Sequence, residues 1–165
     1  MSPRPEPTSR FAPILVIGYG NEQRGDDAVG ALVARAVATG ELPDVQAISV
    51  HQLTPELAHT LAEARAALFI DAACCAGEAE FTVQAITGLA AHEVGGHGGD
   101  PRTLLALADA LYQRRPPAWW LTIPAERFAF GAELSPAACR GMLLSLRFLR
   151  DLIHSLRSEP CTRSD

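Results

Sequence analysis

Short apolar runs alternate along the chain with stretches in which apolar residues recur every three or four positions. The run Pro13-Ile14-Leu15-Val16-Ile17 halts at Gly18. It reads as a buried strand, because a strand covered on both faces is apolar at consecutive positions. Val29, Leu32, Val33, Ala36 and Val37 follow with helical spacing, so this part predicts a strand, a loop and a helix. The pattern then repeats. Val45–Val50 is strand-like, residues 55–65 are helical, and Ala67-Leu68-Phe69-Ile70 is a strongly apolar strand ending at Asp71. Residues 81–86 alternate apolar with polar, the pattern of an edge strand. After a Gly-rich loop, Asp100 can cap and Pro101 can open a helix through about Tyr112, since Pro at the first helical position forfeits only an orphan N–H. Its apolar stripe is Leu104, Leu105, Leu107, Ala108 and Leu111. Residues 118–123 read as a strand, and Ser135 caps a last helix opened by Pro136 and running to about Leu156.

Strands that alternate with helices imply an α/β fold, a mostly parallel sheet covered on both faces. In such sheets ligands gather beyond the carboxyl ends of the strands, so chemistry is sought in the residues after Ile17, Ile70 and Ile86. The patterned region, 13–157, is one domain between flexible termini at 1–12 and 158–165. A chain of 165 residues buries about 70% of its unfolded surface on folding, enough for one core.

The loop after the first strand reads Gly18-Tyr19-Gly20-Asn21-Glu22-Gln23-Arg24-Gly25-Asp26-Asp27-Ala28-Val29-Gly30. A dinucleotide fingerprint needs a third Gly where Gln23 stands and an acidic residue after the second strand, where this chain has Val50, His51 and Gln52. The loop instead carries adjacent carboxylates, Asp26 and Asp27, at a helix start. One carboxylate suffices as a cap there, which frees the other to face the crevice. Asp71 sits at the carboxyl end of a buried strand, where an ionised group calls for a partner such as a cation or a catalytic proton.

His97 lies in Val94-Gly95-Gly96-His97-Gly98-Gly99-Asp100, with little around it to pack against. Imidazole suits nickel and zinc, and two carboxylates with one His leave positions open for another molecule's ligands. His51 follows a strand and reads as a loop cap or positioning residue, and His92 is spaced to substitute as a ligand. His59 and His154 fall on helical patterns as surface residues. Cys74, Cys75, Cys139 and Cys161 form no C-x-x-C pair, and Cys74 and Cys75 read as packed thiols rather than ligands.

Composition narrows the picture further. Apolar residues make up 48% and charged residues 20% of the chain, as in ordinary soluble domains. A net charge of -5 argues against nucleic acid, and the one basic cluster, Arg114 and Arg115 beside Pro116 and Pro117, reads as a solvated helix end. The start lacks the apolar segment of a secretory signal, and no run reaches the roughly 18 apolar residues of a membrane span. A cytoplasmic protein is expected. Neither a G-x-S-x-G elbow nor an H-E-x-x-H helix is present.

Three blocks resemble the nickel-iron hydrogenase maturation endopeptidases, over about residues 13–150. They are residues 14–30, in the form G-x-G-N-x-x-x-G-D-D/E-x-x-G; Phe69-Ile70-Asp71-Ala72; and residues 97–109. The block around His97 departs from the family in being unusually Gly-rich. The resemblance implies a phosphorylase/hydrolase-like three-layer α/β/α sandwich with about five strands. It implies a metal-binding triad of Asp27, Asp71 and His97, with Asp27 and Asp71 also catalytic. It further implies cleavage of the C-terminal extension from a hydrogenase large-subunit precursor that already holds nickel. The nickel is then the substrate's, with no resident cofactor, and the expected state is a monomer that binds its substrate transiently. The competing reading is a nonproteolytic metal-recognition chaperone of the same fold.

Overall fold

A computed structural model describes residues 12–74, 79–87 and 99–158. Strand β1 (Ile14–Tyr19) leads through a single 3-10 turn (Gly25–Ala28) into helix α1 (Val29–Ala38). There follow β2 (Val45–Val50), α2 (Leu57–Glu63), β3 (Ala66–Cys74), β4 (Thr82–Ala85), α3 (Pro101–Tyr112), β5 (Ala118–Ala125) and α4 (Pro136–Ser158). The strands form one five-stranded sheet in the order β2-β1-β3-β5-β4, parallel except at β4.

The pleat sorts the apolar runs between two cores, because successive side chains point to opposite faces. Leu15, Ile17, Ala67 and Phe69 pack with Leu61 of α2 and with Leu104 and Leu105 of α3. Ile14, Val16, Leu68 and Ile70 pack with Val29 and Val33 of α1 and with Leu149 and Ile153 of α4. The sheet therefore lies between two helical layers, as the alternation predicts. One contact sets the spacing of a layer from the sheet. A Cβ added to Gly18 would lie 1.8 Å from the Gly30 carbonyl oxygen, and one added to Gly30 would lie 2.4 Å from the carbonyl oxygens of Tyr19 and Ile70. Only glycines let α1 settle so closely over β1.

The capping signals are realised. The Asp100 side chain accepts from the Arg102 amide with Pro101 in the first turn of α3, and Ser135 Oγ accepts from the Ala138 amide at the start of α4. Three expectations need correction. Helix α2 is shorter than residues 55–65, because Ala64 turns extended (φ −77°, ψ 149°) and ends it. Strand β3 does not stop at Asp71. It leaves β1 after the pair Gly18↔Ile70 and runs on beside β5 to the pair Cys74↔Ala125. Strand β4 is the expected edge strand but antiparallel, so Ile86 emerges at the edge opposite the carboxyl ends of the other strands. The expected flexible termini fall almost wholly outside the described residues.

Candidate active site

From β1 the chain goes to β2 on one side, and from β2 it returns to β3 on the other. The two crossovers diverge at the carboxyl ends of β1 and β3, the switch point at which open α/β sheets form a crevice. The glycine-bearing loop after β1 and the residues of β3 beyond Ile70 meet there.

The adjacent carboxylates of that loop part company. Asp26 is 0% exposed. Its Oδ2 accepts from the amides of Glu126 (2.7 Å) and Arg127 (3.0 Å), and its Oδ1 from the amide of Ser135 (2.6 Å). Burial pushes this carboxyl upward, but the amides of Glu126, Ser135 and Arg127 outweigh it and hold the group below its ordinary value. Asp26 therefore ties the loop after β5 to the loop after β1. Neither the 3-10 turn nor α1 has a side-chain cap, so the expected capping role is replaced by a long-range one. Asp27 is half-buried and accepts from the Asn21 amide at 2.9 Å through Oδ2. Its own carbonyl presses against Gly20, whose φ of +139° and lack of a side chain let the loop fold over it.

Asp71 shares a sheet face with Ala67 and Phe69, since side chains two apart point the same way. It is half-buried, and its Oδ1 accepts from the following amide, Ala72, at 2.8 Å. Burial raises its pKa to about 6, and the nearby charge of Asp27 adds to the rise, against the opposing pull of the Tyr19 hydroxyl and the Ala72 amide. Asp27 and Asp71 thus feel one another across the crevice. A carboxyl that exchanges its proton near neutral pH can act as a general base, and two carboxylates facing one crevice attract a divalent cation.

The wall beside Asp71 was not singled out by the sequence. Tyr19, buried at the end of β1, places its hydroxyl under the influence of both Asp71 and the Trp120 indole of β5. Burial, reinforced by the Asp71 charge, drives its acid far above the ordinary value and keeps the phenol protonated. Gly99 backs the Tyr19 ring, with an added Cβ 3.6 Å from Cε2. At the first turn of α3, Arg102 forms an ion pair with Asp100 at 2.8 Å, and its guanidinium carbon stands 5.9 Å from the Trp120 ring centroid. Period two was the available signal, because Tyr19 follows Ile17, and Asp71 follows Phe69, by one pleat.

No family model matches the chain, and no curated protein matches it. Solved structures do. The NiFe hydrogenase maturation protease HycI of Thermococcus kodakarensis KOD1 superposes with a TM-score of 0.69 at 21% identity, over 88% of this chain and 95% of its own. HybD of Thermococcus kodakarensis, also a NiFe hydrogenase maturation protease, gives 0.66 at 20% identity, over 86% and 99%. The hydrogenase maturating endopeptidase HybD of E. coli gives 0.60 at 19%, over 87% and 93%. This chain has the hydrogenase maturation protease fold.

Within the maturation-protease fold, the remaining candidates are distributed as follows. His97 and His92 lie outside the described residues, as does Cys75. His51 is exposed at the crevice rim, directly after Val50, whose carbonyl accepts from the Gly20 amide at 3.2 Å. His59 and His154 are exposed on helices, as expected. Cys74 is exposed at the end of β3, not a packed thiol, because the strand overshoots the core. Among the described residues no three His, Cys, Asp or Glu side chains are grouped to hold a metal ion, and no helix is long and apolar enough to cross a membrane. What the described crevice offers is the pair Asp27 and Asp71.

Proposed function

We propose that the chain is a hydrogenase maturation endopeptidase, which removes the C-terminal extension of a nickel-loaded large-subunit precursor in the cytoplasm and acts as a monomer. The observation that carries this reading is the convergence of Asp27 and Asp71 at the switch point of a fold shared with maturation proteases. His97 is the third member of the set. It stands two residues before Gly99, which lies against Tyr19 in the crevice wall.

In this reading the two carboxylates and the imidazole complete the coordination of a nickel ion that precursor cysteines already hold. Two like charges oppose docking of an empty precursor, whereas a divalent cation turns the repulsion into attraction, so metal loading becomes the condition for recognition. Cleavage follows by attack of water on the scissile carbonyl. Asp27 or Asp71 takes the water proton and delivers it to the leaving amine, and the metal polarises the carbonyl.

The test is incubation of the purified protein with nickel-loaded and nickel-free precursor, read by intact mass. Loss of a C-terminal peptide from the loaded precursor alone is expected. Asp27→Asn and His97→Ala should fold normally and leave the precursor whole, with rate losses of about 100-fold or more. Normal processing by both would sink the triad. Tight binding with no mass change would favour the chaperone reading instead.

A further inference from the structure

Two buried polar groups in the crevice wall have no part in the steps above. Tyr19 is 4% exposed, and neither its Oη nor the Nε1 of Trp120 completes a hydrogen bond. Leaving such groups buried and unpaired is costly, and Phe at position 19 would fill nearly the same space without that cost. Packing alone therefore does not account for them.

Their placement does. Gly18 pairs with Ile70, so Tyr19, the next residue of β1, flanks Asp71 on the same sheet face. Trp120 pairs with Phe69, one pleat before Asp71, and projects from that face too. The Tyr19 hydroxyl is within the influence of both the Asp71 carboxylate and the Trp120 indole. The Asp71 carboxylate has one oxygen turned to the Ala72 amide. A second donor from the wall would fix its plane and leave the remaining lone pairs aimed into the crevice.

Building on the endopeptidase reading, we propose that Tyr19, backed by Trp120, is a positioning residue for Asp71. The indole N–H donates to the phenol oxygen and the phenol O–H donates to the carboxylate. Hydrogen bonds of this kind are often long in a free enzyme and tighten when the substrate engages. Groups behind a catalytic or metal-binding side chain typically change rate or affinity about 10- to 100-fold when removed.

The experiment is single-turnover processing of nickel-loaded precursor by wild type, Tyr19→Phe, Trp120→Phe and Asp71→Asn, with thermal melts of each. Cleavage by wild type and its loss in Asp71→Asn establish the underlying reading. Given that, Tyr19→Phe should lower the maximal rate about 10- to 100-fold with half-saturation within about twofold of wild type and no loss of thermal stability. Trp120→Phe should lose about tenfold by the same route, and supplies the answer if Tyr19→Phe melts early. Both variants at the wild-type rate overturn the inference and leave the endopeptidase reading standing. A wild type that leaves the loaded precursor whole overturns both.

Discussion

Asp71 carries its charge at a cost to the fold. Burial raises its pKa to about 6, so the folded chain binds this proton more tightly than the unfolded one, where Asp titrates near 3.8. Stability from the proton is fully present below about pH 4 and is lost as pH rises through about 6. The loss reaches up to about 3 kcal/mol. Asp71→Asn should therefore raise the melting temperature at pH 8 and change it little at pH 4; equal melts for both proteins at pH 8 would show that the charge is no burden. Asp26 has the opposite sign. Its depressed pKa gives stability that is present above the ordinary carboxylate range and is lost as pH falls through its own value. Asp26→Ala strands three loop amides, of which that of Ser135 is buried, and should cost about 2–4 kcal/mol, read from the denaturation midpoint in urea. The sequence marked both Asp residues, because charge at a strand or helix end is conspicuous. It did not reveal what Asp26 does, because its partners lie 100 to 109 residues away.

The helix α1 and the strand β1 are held at the distance two glycines allow. Alanine at Gly30 would bring its Cβ within 2.4 Å of the Tyr19 and Ile70 carbonyl oxygens, both backbone atoms with no rotamer to yield. Gly30→Ala should lower stability by about 1–3 kcal/mol or more and push α1 off the sheet, displacing the loop that carries Asp27. A urea midpoint unchanged from wild type would refute the tight fit. Element boundaries were readable where the signal is local. Asp100 with Pro101, and Ser135 with Pro136, announce α3 and α4 within a few residues. The direction of β4 was not readable, because alternation within residues 81–86 is the same whichever way the strand runs. The length of β3 was missed for a related reason. Beyond Ile70 it is held by pairing with β5, and Asp71-Ala72-Ala73-Cys74 carries no apolar run to announce it.

For the whole molecule, the alternation of strands and helices and the two-sided burial of β1 and β3 were enough to give a parallel sheet between helical layers. The order β2-β1-β3-β5-β4 was beyond it, since any sequence of right-handed crossovers satisfies the same pattern. That order is what brings Asp27 and Asp71 to one crevice, and the fold it produces persists in solved structures at 19–21% identity. The bridge from Asp26 to the loop before α4 adds a constraint in time. A chain emerging from the ribosome presents Asp26 long before Glu126, Arg127 and Ser135 exist to receive it. Until they arrive, its charge has no place in a packed interior, so the crevice cannot set while synthesis is unfinished. Completion of the last third of the chain acts as the licence for the first.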